Sequence, residues 1–273
     1  MSKQMFQKII ATDMDGTFLR EDHQFNRDRF RKILDQFHQK DYLFAAASGR
    51  SLMSLQDVFQ GFEDEMAFIA ENGSIVSYKG KIIFEDQPIE PKVYLEIIRR
   101  LSASPYGQKS CIILSGKNGA YLLKSGDKEF IEMISPFYVK TTLVSDFSEV
   151  TEDIVKIVAT FPTEEVEVAQ EWLNQEFDDV IAVTTGFNSV DIILSDSHKA
   201  VGLSQLCEYC GLEAADVVAF GDNQNDLEML DFAGTSLATS NAKPEVKKVA
   251  DSVIGHCNDE AVLAYIEEML DEY

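Results

Sequence analysis

Asp13 and Asp15 stand one residue apart in Asp13-Met14-Asp15-Gly16-Thr17, directly after the apolar Ile9-Ile10-Ala11. On an extended backbone side chains alternate faces with a period of two, so both carboxylates are expected to reach one ligand. Gly16 allows a sharp turn just past them, and Thr17 offers a hydroxyl and an N–H where the next segment begins. This combination suits a carboxylate nucleophile beside a second carboxylate that moves a proton, in phosphoryl transfer with a divalent cation. Two plainer readings exist, a surface turn and a calcium loop. The calcium loop fails at both ends: Ala11 would hold its first position, Asp22 would replace its final glutamate, and a strand rather than a helix precedes it.

Gly221-Asp222-Asn223-Gln224-Asn225-Asp226 repeats the design far along the chain, launched from the apolar Val217-Val218-Ala219-Phe220. Leu227, Met229, Leu230 and Phe232 then fit a short helix, at whose start Asp226 could equally serve the helix N-terminus. A third junction joins the apolar 42–47 stretch to Ser48-Gly49-Arg50-Ser51. A hydroxyl and a glycine at a helix start make a phosphate cradle of main-chain N–H groups, and Ser48 taken alone reads also as an ordinary N-cap. Lys199 follows the apolar 190–194 stretch and Ser195-Asp196-Ser197-His198; alone, it is one of 24 basic residues and reads as solvated.

With these segments in this order, the chain resembles the haloacid dehalogenase-like hydrolase superfamily, in its Cof-like branch of small-molecule phosphatases. Asp13-Met14-Asp15-Gly16-Thr17 matches the first family motif, Ser48 the second, Lys199 the third and Gly221-Asp222 with Asn225-Asp226 the fourth. Similarity extends to Glu71-Asn72-Gly73, and to Asn241-Ala242 with Glu245-Val246-Lys247. The chain departs from the family at Asp196, where glycine is usual, at Thr239-Ser240, where Met-Gly is usual, and at Glu260-Ala261-Val262, where Asp-Gly-Val is typical. These departures touch loop shapes and remove no catalytic atom.

The resemblance implies Asp13 as nucleophile and Asp15 as the acid and base that serves the leaving oxygen and then the attacking water. It implies Mg²⁺ held by the Asp13 carboxylate, the Asp15 main-chain carbonyl and the Asp222 carboxylate, with Asp226 supporting from behind. Ser48, Gly49, Lys199 and Asn225 are then expected at the phosphoryl oxygens. The implied activity is hydrolysis of small phosphorylated metabolites, sugar phosphates foremost, through an aspartyl-phosphate. A phosphotransferase or phosphomutase using that intermediate, and a noncatalytic cation- or ligand-binding protein, remain alternatives.

With 47 acidic against 24 basic residues the formal charge is −23, which argues against nonspecific binding to nucleic acid or to an anionic membrane. The expected partner is a small-molecule phosphate ester. Cys111, Cys207, Cys210 and Cys257 are too scattered for a disulfide framework, and Cys207-Glu208-Tyr209-Cys210 sits in a helical apolar pattern with no further ligands to complete a zinc site. Met1-Ser2-Lys3-Gln4 lacks an apolar secretory core, so neither export nor membrane spanning is indicated and a cytoplasmic location is expected.

The elements that must carry these residues follow from periodicity. Residues 1–83 alternate strand-like and helix-like stretches, with Phe30, Ile33, Leu34 and Phe37 marking the first helix face, and such alternation predicts a parallel sheet. Residues 84–193 change pattern: a helix around Val93–Leu101, a hairpin of 111–114 with 120–123 turning at Asn118-Gly119, a strand at 154–159, a helix at 164–177, and a second hairpin across Gly186-Phe187-Asn188. The alternating design returns over 194–273 and closes on an amphipathic helix containing Ala261, Val262, Tyr265, Ile266, Met269 and Leu270. The expected fold is α/β: a Rossmann-like parallel-sheet core, discontinuous over 1–83 and 194–273, with an inserted α+β cap domain over 84–193. Ligands in open parallel sheets collect at the carboxyl ends of strands, where Asp13, Ser48 and Asp222 would emerge. The cap is expected to swing over that site and exclude water.

Overall fold

Ile9, Ile10 and Ala11 are apolar toward both faces, as a strand in the middle of a covered sheet must be, and they form the centre of β1 (Lys8–Thr12) with no exposed surface. The computed structural model describes residues 6–135, 138, 140–186 and 188–271; Met1-Ser2-Lys3-Gln4 and Phe187, which the sequence reading put in a hairpin turn, lie outside the described residues. The chain divides into two compact units. One runs to Glu85 and resumes at His198; the other is Asp86–Ser197.

In the first unit, α1 (Arg27–Lys40) starts at Asn26, whose side chain accepts the Arg29 N–H, and stops at Asp41 in the left-handed region (φ 56°). Its Phe30, Ile33, Leu34 and Phe37 recur at the spacing of one helix face and are all buried. Then come β2 (Tyr42–Ala47), α2 (Leu52–Val58), β3 (Ala67–Ala70), β4 (Ile75–Tyr78) and β5 (Lys81–Glu85). The second unit carries α3 (Pro91–Ala103), β6 (Cys111–Gly116), β7 (Gly119–Leu123), α4 (Lys128–Ile134), β8 (Thr141–Val144), β9 (Ile154–Thr160), α5 (Val166–Glu176), β10 (Val180–Gly186) and β11 (Ser189–Leu194). The chain returns through α6 (Lys199–Cys210), β12 (Val217–Gly221), α7 (Leu227–Phe232), β13 (Thr235–Ala238), α8 (Pro244–Val249), β14 (Ser252–Val253) and α9 (Ala261–Asp271).

Among the described residues the first unit builds one eight-stranded sheet in the order β14-β13-β12-β1-β2-β3-β4-β5. From β14 to β3 every neighbouring pair is parallel, whereas β3–β4 and β4–β5 are antiparallel. The sheet is therefore mixed rather than wholly parallel. The β4–β5 turn explains why: Lys79 and Gly80 both have positive φ (51° and 68°), the backbone of a tight hairpin turn whose twist matches the strands.

Two apolar layers cover the sheet. On one side Ile10, Phe44, Phe68 and Phe220 meet α1 and, from α9, Val262, Leu263 and Ile266; on the other Ile9, Ala11, Leu43 and Ala45 meet Leu203 and Leu206 of α6 and Met229 and Leu230 of α7. The loop after β1 is anchored by the same packing. Phe18 is buried with its ring 5.3 Å from Phe44 and 5.5 Å from Phe30, so the residues just before it have a fixed base. Cys207 and Cys210 are free thiols inside the second layer.

The second unit is a six-stranded sheet, β10-β11-β9-β6-β7-β8, with Tyr94, Ile97 and Leu101 of α3 and Ala169 and Leu173 of α5 on one face. Its first hairpin turns one residue earlier than the sequence suggested. Gly116 pairs with Gly119, leaving Lys117-Asn118 as the turn, because Gly119 belongs to the strand: a Cβ there would stand 2.7 Å from the Lys140 carbonyl oxygen. The parallel pair β7–β8 has no counterpart in the sequence reading. No helix among the described residues is long and apolar enough to cross a membrane.

Candidate active site

Strand β1 lies between β2 and β12, and the chain proceeds in opposite directions across the sheet from it, so a crevice opens at the carboxyl ends of these strands. Asp13, Ser48 and Asp222 each follow directly after one of them. The Asp13 N–H donates to the Phe220 carbonyl at 2.9 Å, tying the ends of β1 and β12 together. Oxygens of Asp13, Asp222 and Asp226 lie within 4.8 Å of one another.

Lys199, at the first position of α6, has no exposed surface. Its Nζ lies 2.5 Å from Asp13 Oδ1 and 2.7 Å from Asp226 Oδ1. The solvated reading of this lysine therefore fails, and the reason is tertiary: α6 packs over β1 and β12 and brings its first residue to the two acids that follow those strands. Asp226 is fully committed, since its Oδ2 accepts the N–H groups of Asp222 (2.9 Å) and Asn223 (3.0 Å). Asp222 Oδ1 accepts the Thr17 hydroxyl at 2.7 Å. Two glycines are required by close approach: a Cβ on Gly16, whose φ is +88°, would lie 2.5 Å from Asp222 Oδ2, and one on Gly221 would lie 2.5 Å from Asp226 Cβ. The Gly16 carbonyl is held in turn by the Asn241 amide (2.7 Å) and the Thr239 hydroxyl (3.3 Å), which gives the Thr239 departure a concrete contact.

The electrostatics are those of crowded acids around one ammonium. Burial pushes the Asp13 carboxyl well above the ordinary range; Lys199 pulls it back, and Asp226 and Asp222 add to the rise. Burial and the neighbouring Asp226 push Asp222 up to about 6. Burial disfavours the Lys199 ammonium, but Asp13 and Asp226 outweigh it and hold its pKa above the usual value. The donor set fits a hard divalent cation: carboxylate oxygens in excess of positive charge, with Asp13 and Asp222 each using Oδ1 toward a protein donor and presenting a second oxygen.

A pH dependence follows. Asp222 titrates near 6 in the folded chain against 3.8 ordinarily, so its contribution to stability is full below about pH 4 and is lost as pH rises through 6. In EDTA at about pH 8, Asp222→Asn is expected to be more stable than wild type by about 3 kcal/mol, or several °C in Tm, the difference vanishing toward pH 4. A variant melting no higher than wild type at the upper pH would contradict this account of the cluster.

Asp15 differs from the sequence reading. Its carboxylate is not among the clustered acids but pairs with Arg50, Nε to Oδ2 at 2.7 Å and Nη2 to Oδ1 at 2.5 Å, and lies 3.0 Å from His23 Nδ1. Period-two alternation does not reach it because β1 ends at Thr12 and the chain is already turning, with Leu19 N–H bonded to the Met14 carbonyl. Burial acts against its charge, yet the Arg50 hydrogen bonds win and hold Asp15 below the ordinary carboxylate range.

Ser48 is buried, and its Oγ accepts the Arg50 N–H at 3.2 Å. It does not cap α2; Ser51 does, accepting the Ser54 N–H at 3.2 Å. Gly49 lies between them, in the loop after β2. Asn225 donates through Nδ2 to Asn72 Oδ1 at 3.0 Å, and Asn72 N–H donates to the Ser48 carbonyl at 3.0 Å, linking the fourth motif to the second. Arg50, His23 and Asn72 escaped the sequence reading as site residues. Arg50 carried a signal, standing next to the Ser-Gly pair; His23 carried none.

Comparison with known proteins identifies the family. The family model described as haloacid dehalogenase-like hydrolase matches residues 10–266. A 5-amino-6-(5-phospho-D-ribitylamino)uracil phosphatase of Escherichia coli K12 is 34% identical over 264 residues, 96% of each chain. An HMP-PP phosphatase of Cronobacter sakazakii is 28% identical over 97% of this chain and 96% of its own length. The crystal structure of SMU.1108c from Streptococcus mutans UA159 superposes with a TM-score of 0.90 at 30% identity, covering 97% of this chain and 99% of that one. With three of its motif segments at strand ends and the fourth, Lys199, at the start of α6, the chain belongs to the haloacid dehalogenase-like hydrolases and is a phosphatase of that family.

Proposed function

We propose that the protein is a Mg²⁺-dependent phosphomonoesterase that hydrolyses small phosphorylated metabolites through an aspartyl-phosphate on Asp13. The observation that carries this reading is the buried Lys199 ammonium shared by Asp13 and Asp226, with the Asp222 carboxylate beside them. A carboxylate needs no base to activate it, but it is repelled by an anionic phosphate; one like-charge pair at 4 Å costs about 4 kcal/mol at an effective dielectric of 20. Lys199 lowers that barrier from the protein side. The residues that would hold Mg²⁺ are the Asp13 and Asp222 carboxylates and the Asp15 main-chain carbonyl, with Asp226 orienting the Asp222 backbone through the N–H bond to its Oδ2. The bound ion would supply further charge neutralisation at the phosphoryl oxygens.

In this mechanism a carboxylate oxygen of Asp13 attacks phosphorus as the ester P–O bond breaks. Ser48, Gly49, Asn225 and Lys199 hold the phosphoryl oxygens while charge spreads over them. Asp15 serves the departing alcohol oxygen as the acid, which requires its carboxylate first to leave Arg50 and take up a proton from solvent; it then takes a proton from the water that cleaves the aspartyl-phosphate, which returns Asp13 and releases inorganic phosphate. The substrate class proposed is a phosphate ester of a sugar or polyol, including one attached to a heterocycle. The named activity of the E. coli relative, a phosphorylated ribitylaminouracil phosphatase, supports it.

A phosphate-release panel of sugar, polyol and cofactor phosphates, with Mg²⁺ and with EDTA, tests the reading. Release that requires Mg²⁺ is the expected result. Accumulation of an isomeric phosphate would make the protein a phosphomutase, and cation binding without turnover of any ester would make it a noncatalytic binder. Asp15→Asn is expected to lower kcat/KM about 10²- to 10⁴-fold for alkyl phosphates and far less for activated aryl phosphates, whose leaving groups need no proton. Equal losses on both would deny Asp15 the acid role.

A further inference from the structure

The turn Glu71-Asn72-Gly73 follows β3 with all three residues buried and all three at positive φ, 50°, 55° and 105°. Glycine and asparagine enter the left-handed region readily, glutamate does not, and such a backbone persists only where its surroundings hold it. They hold it from three sides. The Glu71 N–H donates to the Arg50 carbonyl and the Asn72 N–H to the Ser48 carbonyl, both at 3.0 Å, which ties the turn to the loop after β2. A Cβ on Gly73 would lie 2.2 Å from the His198 carbonyl oxygen and 3.1 Å from the Lys199 nitrogen, so the turn rests against the start of α6. From the third side Asn225 Nδ2 donates to Asn72 Oδ1 at 3.0 Å. The turn thus touches the segments that carry Ser48, Lys199 and Asn225, three of the groups that the mechanism assigns to the phosphoryl oxygens, while the turn itself has no part in that mechanism.

We propose that Asn72 is a positioning residue for phosphoryl binding: its carboxamide holds that of Asn225 in the orientation from which Asn225 donates to a phosphoryl oxygen. This rests on the reading of Asn225 as a phosphoryl ligand. A primary amide carries two N–H donors and one carbonyl acceptor, and half a turn exchanges them. An anionic oxygen needs the donor side. The bond to Asn72 uses one N–H of Asn225, leaves the second for the ligand, and stops the amide from turning. Asn72 can hold its partner because it is itself fixed, buried to 1% exposure and anchored through its main-chain N–H to Ser48. A donor already oriented stabilises a developing charge more than one that must be ordered as the ligand arrives. A residue acting through a phosphoryl ligand weakens every ester alike, whatever its leaving group, and weakens inorganic phosphate with them.

The test compares wild type, Asn72→Gly, Asn225→Ala and the double variant Asn72→Gly/Asn225→Ala with Mg²⁺. Glycine keeps the left-handed backbone and the main-chain N–H while removing the amide, so Tm should stay within about 5 °C of wild type. For Asn72→Gly, kcat/KM is expected to fall about 10- to 100-fold, equally for alkyl and p-nitrophenyl phosphates, and the inhibition constant of inorganic phosphate to rise about tenfold. The double variant should be no worse than Asn225→Ala alone, since two residues acting through one group are not additive. A second readout needs no turnover. The side-chain amide signal of Asn225, identified by its loss in Asn225→Ala, should be protected from solvent exchange in wild type and in Asn72→Asp, which still accepts a hydrogen bond, and unprotected in Asn72→Gly. Losses that multiply in the double variant, an unchanged phosphate inhibition constant in Asn72→Gly, or an Asn225 amide that loses protection in Asn72→Asp would overturn the proposal alone. So would an Asn72→Gly protein melting more than about 10 °C below wild type, which would make Asn72 a structural residue. An Asn225→Ala variant with wild-type phosphate inhibition would remove Asn225 as a ligand and the proposal with it. A wild type that releases no phosphate from any ester would overturn the enzymatic reading itself.

Discussion

Asp13→Asn is expected to abolish phosphate release, by about 10⁴-fold or more, in a protein that remains folded. An amide is a poor nucleophile, and the neighbouring acids are otherwise engaged: Asp226 spends both oxygens on Lys199 and on the main-chain N–H groups of Asp222 and Asn223, Asp15 is turned toward Arg50, and Asp222 gives one oxygen to Thr17 and would give the other to the ion. Loss of the fold is not expected, because burial already disfavours the Asp13 charge and the substitution removes it. Mg²⁺ affinity, followed by titration calorimetry, should weaken without disappearing, since the Asp222 carboxylate is untouched. Acid-quenched wild-type protein should carry a phosphoryl group on the peptide containing Asp13, and the variant should not. Robust turnover by the variant, or a phosphopeptide elsewhere, would remove the nucleophile from the mechanism.

Lys199→Met should be costly in both stability and rate. The side chain is wholly buried and is the ammonium at which Asp13 and Asp226 meet. Removing one partner of a buried pair strands the other, at about 3–5 kcal/mol, which corresponds to roughly 10 °C in Tm for a chain of this size. The sign with pH is determined by the acids: Asp13 and Asp222 have raised pKa values, so protonation relieves the stranded charge and the melting deficit should shrink as pH falls below 6. Mg²⁺ should narrow the deficit near neutrality for the same electrostatic reason. Turnover is expected to fall about 10³-fold, the size seen when one preorganised donor to a developing charge is deleted. A shift in Tm under about 2 °C in EDTA would mean that the lysine is not the counter-ion of this cluster.

The two predictions draw on different kinds of information. Asp13 was readable because apolar Ile9-Ile10-Ala11 ending in an Asp-x-Asp-Gly run is a local pattern, and local patterns act through the backbone of neighbouring residues. The same holds for the helix faces of α1 and α9, the junctions before Ser48 and Asp222, and the start of α6 at Lys199. Lys199 was not readable as a buried counter-ion. Its distance from Asp13 is set by the packing of α6 over the sheet, which joins residues 186 positions apart.

Asp15 makes the limit sharpest. Alternation along a strand predicted that its carboxylate would stand beside that of Asp13, but the rule holds only while the backbone stays extended; β1 ends at Thr12, and the Asp15 carboxylate pairs with Arg50 instead of joining the clustered acids. Ser48 shows the complementary case: a serine at a helix start reads as a cap, and Ser51 takes that duty because the helix begins later than the strand–turn junction suggests. The antiparallel edge formed by β4 and β5 was hidden for a related reason. Its turn depends on a lysine and a glycine both adopting positive φ, and lysine advertises no such preference.

Strands, helices and the candidate chemistry at their junctions were thus written into nearest-neighbour chemistry, where burial period and turn residues act over a few positions. Which charges meet, which of them lose water, and which arginine holds the Asp15 carboxylate depend on β1 lying between β2 and β12 with α6 packed over them. That arrangement is a property of long-range packing, because the energy of a buried ion pair exists only once distant segments have excluded solvent around it.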